Sequence, residues 1–164
     1  MEYLDHIKSK IITVEALACK RAYWQHKEMP VVFTNGCFDI LHRGHIEYLA
    51  KAASLGKSLV IGLNTDSSVR RIKGETRPVQ DEYTRALILA SLEFVSAVVL
   101  FDEETPYELI KATQPDILVK GADYKPEDIV GYDIVTQRGG QVMTIQFVEG
   151  FSTTSIINKL NNAN

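Results

Sequence analysis

Five short, β-prone apolar runs, each followed by a stretch of helical spacing or helix punctuation, restrict the folds open to this chain. The runs are residues 31–33, 58–63, 97–101, 117–119 and 142–148. Turn-forming residues bound several of them, among them Pro30, Asn35-Gly36 and Asn64-Thr65-Asp66, which is the mark of buried strands rather than helix segments. Between the runs lie helical segments at 43–55, 82–94, 105–113 and 126–137, and a last one reaches about residue 160. Residues 67–80, with four basic residues around Gly74 and Pro78, read as a short helix and then a mobile loop. A strand that alternates with a helix returns to the same sheet through right-handed crossovers. The expected fold is therefore α/β, a five-stranded parallel sheet with helices on both faces.

The first 29 residues read as a helical segment packed on the main domain, with Thr13 placed to cap a helix from Val14 to about Lys27. The domain itself spans residues 30–160, and residues 161–164 form a tail expected to fray. A length of 164 residues suits one domain with one sizeable core. A net charge of −3 gives no basic face for a nucleic-acid partner. No apolar run is long enough to span a membrane and no signal-peptide core is present. Cys19 and Cys37 are far apart and in unlike settings, which fits a reducing compartment better than a disulfide, so the expected location is the cytoplasm.

In a parallel sheet, functional groups collect at the carboxyl ends of the strands. That rule selects residues 34–45, 64–66, the turn after Phe101, 120–124 and 149–154. The first group carries His42 and His45 at the start of a helix, with Gly44 between them. Three readings stand open for this pair: surface residues at a helix start, two ligands of a metal site, or imidazoles that hold phosphate oxygens. Zinc needs three or four ligands, and neither cysteine nor any His-rich stretch supplies the rest. Ser152, Thr153 and Thr154 follow Gly150 at the start of the last helix, where hydroxyls either cap the helix or cradle a polyphosphate. Lys120 ends an apolar strand just before Gly121, which directs it toward the strand ends. Cys37 sits between Gly36 and Phe38 and reads as a packing or backbone residue rather than a nucleophile. Dinucleotide, Walker and Gly-x-Ser-x-Gly fingerprints are all absent.

The run Thr34-Asn35-Gly36-Cys37-Phe38-Asp39-Ile40-Leu41-His42-Arg43-Gly44-His45 resembles the His-x-Gly-His motif of the cytidylyltransferase-like nucleotidyltransferases. Within them the chain is most similar to the adenylyltransferase domain of ADP-heptose synthases. The similarity runs on through Asn64-Thr65-Asp66, Arg70-Arg71-Ile72-Lys73-Gly74, Arg77-Pro78-Val79, Val119-Lys120-Gly121-Ala122-Asp123-Tyr124 and Gly150-Phe151-Ser152-Thr153-Thr154. It covers about residues 30–160. Ala122 stands where the family usually has a glycine. Phe147-Val148-Glu149-Gly150 stands where glycerol 3-phosphate cytidylyltransferases have Arg-Thr-Glu-Gly, which favours ATP over CTP. The resemblance implies a Rossmann-like fold of the nucleotidyltransferase type and a stand-alone adenylyltransferase without an accompanying kinase half.

The implied reaction joins ATP to D-glycero-D-manno-heptose 1-phosphate, giving ADP-heptose and pyrophosphate. A cytidylyltransferase or another adenylyltransferase acting on another phosphomonoester, such as glycerol 3-phosphate, is the rival within enzymes; a nucleotide-sensing protein that kept the fold is the rival outside them. By resemblance His42, His45, Lys73 and Lys120 are the catalytic group. Thr34, Asn35, Gly36, Cys37, Phe38, Asp39, Gly44, Asn64, Asp66, Gly121, Asp123, Gly150, Ser152 and Thr153 would bind the nucleotide. Arg77 and Arg85 would face the sugar or its phosphate. Magnesium (Mg2+) would arrive with ATP, without protein side chains as its ligands, and a homodimer fits the family.

Overall fold

The structure is a computed structural model, and it describes residues 2–146 and 150–161. Two helices come first, α1 (Tyr3–Lys8) and α2 (Val14–His26). Next come β1 (Val31–Gly36), α3 (Arg43–Ala53), β2 (Ser58–Asn64), α4 (Asp66–Lys73), α5 (Glu82–Ser91) and β3 (Val95–Phe101). The remainder is α6 (Tyr107–Thr113), β4 (Ile117–Gly121), a 3-10 turn at Pro126–Asp128, α7 (Tyr132–Gln137), β5 (Gln141–Ile145) and α8 (Thr153–Asn161). Each expected strand and helix is present, with bounds moved by a few residues. The fifth strand stops at Ile145, short of the expected 148; residues 147 and 148 lie outside the described residues, as do 162–164 of the expected tail.

All strands pair in parallel, in the order β3-β2-β1-β4-β5. The chain thus moves outward from β1 to β3, then returns to β1's other side for β4 and β5. The reversal falls between β1 and β4.

The two faces of the sheet bury different side chains because residues alternate along each strand. Val32, Leu59, Ile61 and Leu63 join Tyr48, Leu49 and Ala52 of α3 and Ala86, Leu89 and Ala90 of α5 in one core. Val31, Phe33, Val60 and Leu118 join Leu17 and Trp24 of α2, Leu109 and Ile110 of α6 and Val135 of α7 in the other. On β3 the alternation breaks: Val95 and Val98 face the first core, Ala97 and Val99 the second. The register shifts there, with Leu59 opposite Val95 and Val60 opposite Ala97. The extra residue, Ser96, uses its hydroxyl to accept from the Leu59 N–H at 3.2 Å, so the bulge leaves that ladder donor partnered.

The N-terminal segment does more than pack. Thr13 caps α2 by accepting from the Ala16 N–H. Ahead of it, Ile12 N–H donates to Val98 O and Val98 N–H to Lys10 O, a short parallel bridge along the outer edge of β3. Arg21 of α2 reaches Gln114 O and the Asp116 carboxylate, whose other oxygen accepts from Val31 N–H at 2.7 Å. Sequence reasoning expected a helix and found no pairing segment, because two or three bridging residues have no period to read. Leu17 of α2 is fully buried in the second core. Leu17→Ala is expected to lower unfolding free energy by about 2–5 kcal/mol, measured by urea titration.

Candidate active site

A cleft of about 620 Å³ opens at the carboxyl end of the sheet, where β1 and β4 part. One wall is the turn after β1 and the start of α3, from Asn35 to Tyr48. The others are Ile72, Lys73 and Arg77 from the end of α4 and its loop, Lys120 and Gly121 at the end of β4 with Asp123 and Tyr124 just after it, and Phe151 to Thr154 at the start of α8. Strand ends at a topological reversal leave such a crevice because their connections run away from each other.

Close approach at the α3 start depends on Gly44. A Cβ there would stand 3.1 Å from the His42 ring and 3.3 Å from Phe151 Cβ. Arg43 lies over the Phe151 ring, 5.4 Å from its centroid, and also bonds Glu47 one turn on. These contacts join the α3 and α8 starts across the cleft.

His42 and His45 stack on each other with ring centroids 3.8 Å apart and 22° between planes. The Phe38 ring meets His45 edge-on at 5.3 Å. Burial holds the His45 pKa down, to about 4, with His42 and Lys73 adding to it and a backbone hydrogen bond to Ile40 opposing. Burial lowers that of His42 as well. Both rings are therefore neutral near physiological pH in the free protein. Their Nδ1 atoms are buried without partners. A neutral imidazole offers one N–H donor and one acceptor, so His42 has an N–H to give to an anionic oxygen, and His45 has one where that oxygen takes the place of Ile40 as its acceptor.

Lys120 lines the same cleft. Burial lowers its pKa to about 8, with Cys37 opposing. Cys37 itself is pushed up by burial, so its thiol stays protonated, as a packing residue should. Ser152 caps α8 by accepting from Ser155 N–H at 3.0 Å. Thr153 Oγ1 reaches Ile40 O at 3.5 Å, while Thr154 also lines the cleft. The cap and cradle readings of this segment are thus compatible: the cap orients a helix start whose other polar groups face the opening.

Of the residues singled out from the sequence, His42, His45, Lys73, Lys120, Asn35, Gly36, Cys37, Phe38, Asp39, Gly44, Gly121, Asp123, Ser152, Thr153 and Arg77 line this cleft. Thr34, Asn64, Asp66, Gly150 and Arg85 do not. Thr34 is fully buried and its hydroxyl bonds Tyr48. Asn64 donates to the Ser68 hydroxyl. Gly150 only leads into the wall with a positive φ of 83°. Arg85 is 1% exposed, so it meets no substrate: it donates to the carbonyls of Cys37, Asn64 and Gln80 and pairs with the Asp66 carboxylate at 2.7 Å. Asp39 lines the cleft but its carboxylate is committed to the loop after α4, accepting from Val79 and Gln80 N–H and from Arg77 Nε at 2.6 Å. Burial raises its pKa, but these donors outweigh it and hold the carboxyl below the usual range. The ends of β2 and β3 miss the cleft because both strands lie on one side of the reversal. Thr154, read from the sequence as a cap or cradle hydroxyl, lines the cleft too. Tyr48, Ile72, Tyr124 and Phe151 were not singled out; only Phe151 and Tyr124 had a signal, their place inside strand-end groups.

A five-stranded parallel α/β sheet of Rossmann-like type with this cleft is a nucleotidyltransferase fold. Residues 33–159 match the model of the cytidylyltransferase-like family, and the chain belongs to that family of nucleotidyltransferases. The bifunctional protein HldE of Citrifermentans bemidjiense is 55% identical over 152 residues, which are 93% of this chain and 31% of that protein. HldE of Campylobacter curvus is 51% identical over 162 residues, 99% of this chain and 32% of that one. The chain spans about a third of the length of these relatives. A solved lipopolysaccharide core biosynthesis protein from Thermoplasma volcanium superposes with a TM-score of 0.60 at 31% identity, covering 73% of this chain and 97% of that one. Pantoate-beta-alanine ligase from Francisella tularensis, at 17% identity and a TM-score of 0.61 over 93% of this chain and 77% of its own, shares the fold.

Lys120 is a cation below its pKa and neutral above it. If its charge serves turnover, kcat/KM for pyrophosphate release is expected to fall as pH rises through about 8, about tenfold per unit beyond it. Lys120→Arg, charged throughout, is expected to remove that fall; a pH–rate series on both proteins checks it.

Proposed function

We propose that this chain transfers the adenylyl group of ATP to D-glycero-D-manno-heptose 1-phosphate, forming ADP-heptose and pyrophosphate. The observation that carries the reading is the stacked, neutral His42–His45 pair in a cleft that Lys120 and the α8 hydroxyls also line. The similarity to HldE proteins and to a lipopolysaccharide core biosynthesis protein supports a sugar phosphate as the second substrate.

The sugar phosphate brings its own nucleophilic oxygen. That oxygen bonds to the α-phosphorus as the bond to the β-phosphate oxygen breaks, and pyrophosphate leaves with the electron pair. No covalent enzyme intermediate is required, so rate comes from alignment and from donors placed where charge grows. His42 and His45 donate to the α-phosphate oxygens, and Lys120 and Lys73 balance charge beside them. The hydroxyls and backbone N–H groups at the start of α8 receive the departing pyrophosphate. Arg77 keeps Nε on Asp39, which leaves the rest of its guanidinium for the sugar phosphate. The backbone from Asn35 to Phe38 cradles the nucleotide.

Magnesium would come in on the triphosphate. Of the acidic residues lining the cleft among the described residues, Asp39 is committed to its loop and Asp123 is the other; the ion would be held by the phosphates rather than by either side chain. When bound, the ion supplies charge neutralisation on the phosphates. Both substrates and this chemistry suit a cytoplasmic protein, and a homodimer is compatible with the exposed faces.

Pyrophosphate release measured with ATP and with CTP, across sugar 1-phosphates and glycerol 3-phosphate, tests the assignment. ATP with heptose 1-phosphate is expected to give the highest kcat/KM; preference for CTP or for glycerol 3-phosphate would replace it. His45→Ala is expected to lower kcat about 10²- to 10³-fold, the cost of one positioned donor, with the fold intact by circular dichroism.

A further inference from the structure

The ladder between β1 and β4 pairs Val32 with Ile117 and Phe33 with Leu118, and then ends. The next position in that register would set Thr34 against Val119. The hydroxyl of Tyr48, from α3, stands at that place. It lies 2.8 Å from Thr34 Oγ1 and donates to Val119 O at 3.3 Å. With its proton on Val119 O, the Thr34 hydroxyl is the donor in the other bond. A side chain thus bridges the two strands where their own hydrogen bonds give out.

Beyond this bridge both strands run straight into the site. On β4 the next residue is Lys120. On β1 it is Asn35, whose side-chain oxygen is buried without a partner beside the cleft. One turn before Tyr48 on α3 is His45. Tyr48 is 5% exposed and forms part of the cleft floor. Its pKa is pushed up to about 12 by burial, with the bond to Thr34 opposing, so the phenol keeps its proton.

We propose that Tyr48 is a positioning residue: its hydroxyl closes the gap at which β1 and β4 part, and thereby fixes Lys120 and His45 relative to the transferred phosphorus. This rests on the nucleotidyl transfer proposed above. The ring contributes packing that phenylalanine would keep; the hydroxyl contributes the bridge. A misplacement of about 1 Å at reacting groups costs on the order of 10²-fold in rate, so a partial loosening is expected to cost roughly tenfold or more.

The test uses Tyr48→Phe, Thr34→Val and the double variant. In Y48F, kcat is expected to fall about tenfold or more while KM for ATP stays within about threefold. T34V should do the same, and the double variant should be no worse than either single one, because both remove one bridge. Lysine carrying a 13C label reports the Lys120 titration by NMR without any substrate. Its midpoint, near 8 in the parent, is expected to move upward in Y48F as the floor loosens and water reaches the amine. The other titratable groups on the cleft, Cys37, Asp39, His42, His45, Lys73, Arg77, Asp123 and Tyr124, are all retained in that variant. A folded Y48F with parent-like kcat, a rise in KM alone, or an unmoved Lys120 midpoint would each overturn the proposal. If Y48F does not fold, T34V carries the same measurements. If the parent releases no pyrophosphate from any substrate pair, the proposed function fails, and the Lys120 midpoint alone decides the role of Tyr48.

Discussion

A buried guanidinium holds the site together. A strand that ends inside a protein leaves carbonyls that must find donors, and β1 and β2 both end beneath the loop after α4. Arg85 supplies those donors from α5: Cys37 O at 2.7 Å, Asn64 O at 2.8 Å and Gln80 O at 3.0 Å. A buried charge without a counterion would be costly, and the Asp66 carboxylate provides one. The fork of the guanidinium, planar and rigid, sets three pieces of backbone at fixed separations. The turn after β1, which carries the cleft wall, is one of them.

Asp39 completes the arrangement from the other side. Gln80 gives its carbonyl to Arg85 and its N–H to Asp39. The loop that brings Arg77 to the cleft is therefore held by two oppositely charged residues at a single residue's backbone. Around this frame, the groups that the proposed transfer would aim at phosphate have been taken out of water. Their desolvation leaves His45 neutral and Lys120 only weakly held as a cation. An arriving polyanion relieves that cost, since it supplies the partner charge that solvent no longer does. On the proposed reading, much of the attraction for a triphosphate is thus prepaid in folding.

The fold was legible because parallel strands are buried on both faces and read as apolar runs; Val31 to Phe33 and Ser58 to Leu63 stand out on that ground alone. Strand order was not, so all five strand ends were expected to converge, when the order β3-β2-β1-β4-β5 leaves the ends of β2 and β3 on one side. Charge is what misled at single residues. Arg85 and Asp66 were read as facing substrate because charged residues near strand ends usually meet solvent or ligand; their partners are backbone carbonyls and each other, which no spacing reveals. Tyr48 was missed for the converse reason: an aromatic residue at helical spacing reads as core, and most of it is core. Only its hydroxyl distinguishes it, and that depends on where two distant strands stop pairing.

The lowered pKa of Lys120 also makes it a reactive amine. At about pH 8, roughly half of such side chains carry a free lone pair, whereas an amine in open water is protonated until about pH 10. A desolvated lysine of this kind adds readily to carbonyl carbon. A nucleotide bearing an aldehyde or an activated acyl group would be delivered by the cleft to that amine and trapped there as an imine or an amide. The burial that lowers the amine's pKa thus also makes it an attachment point for covalent inhibitors and affinity labels.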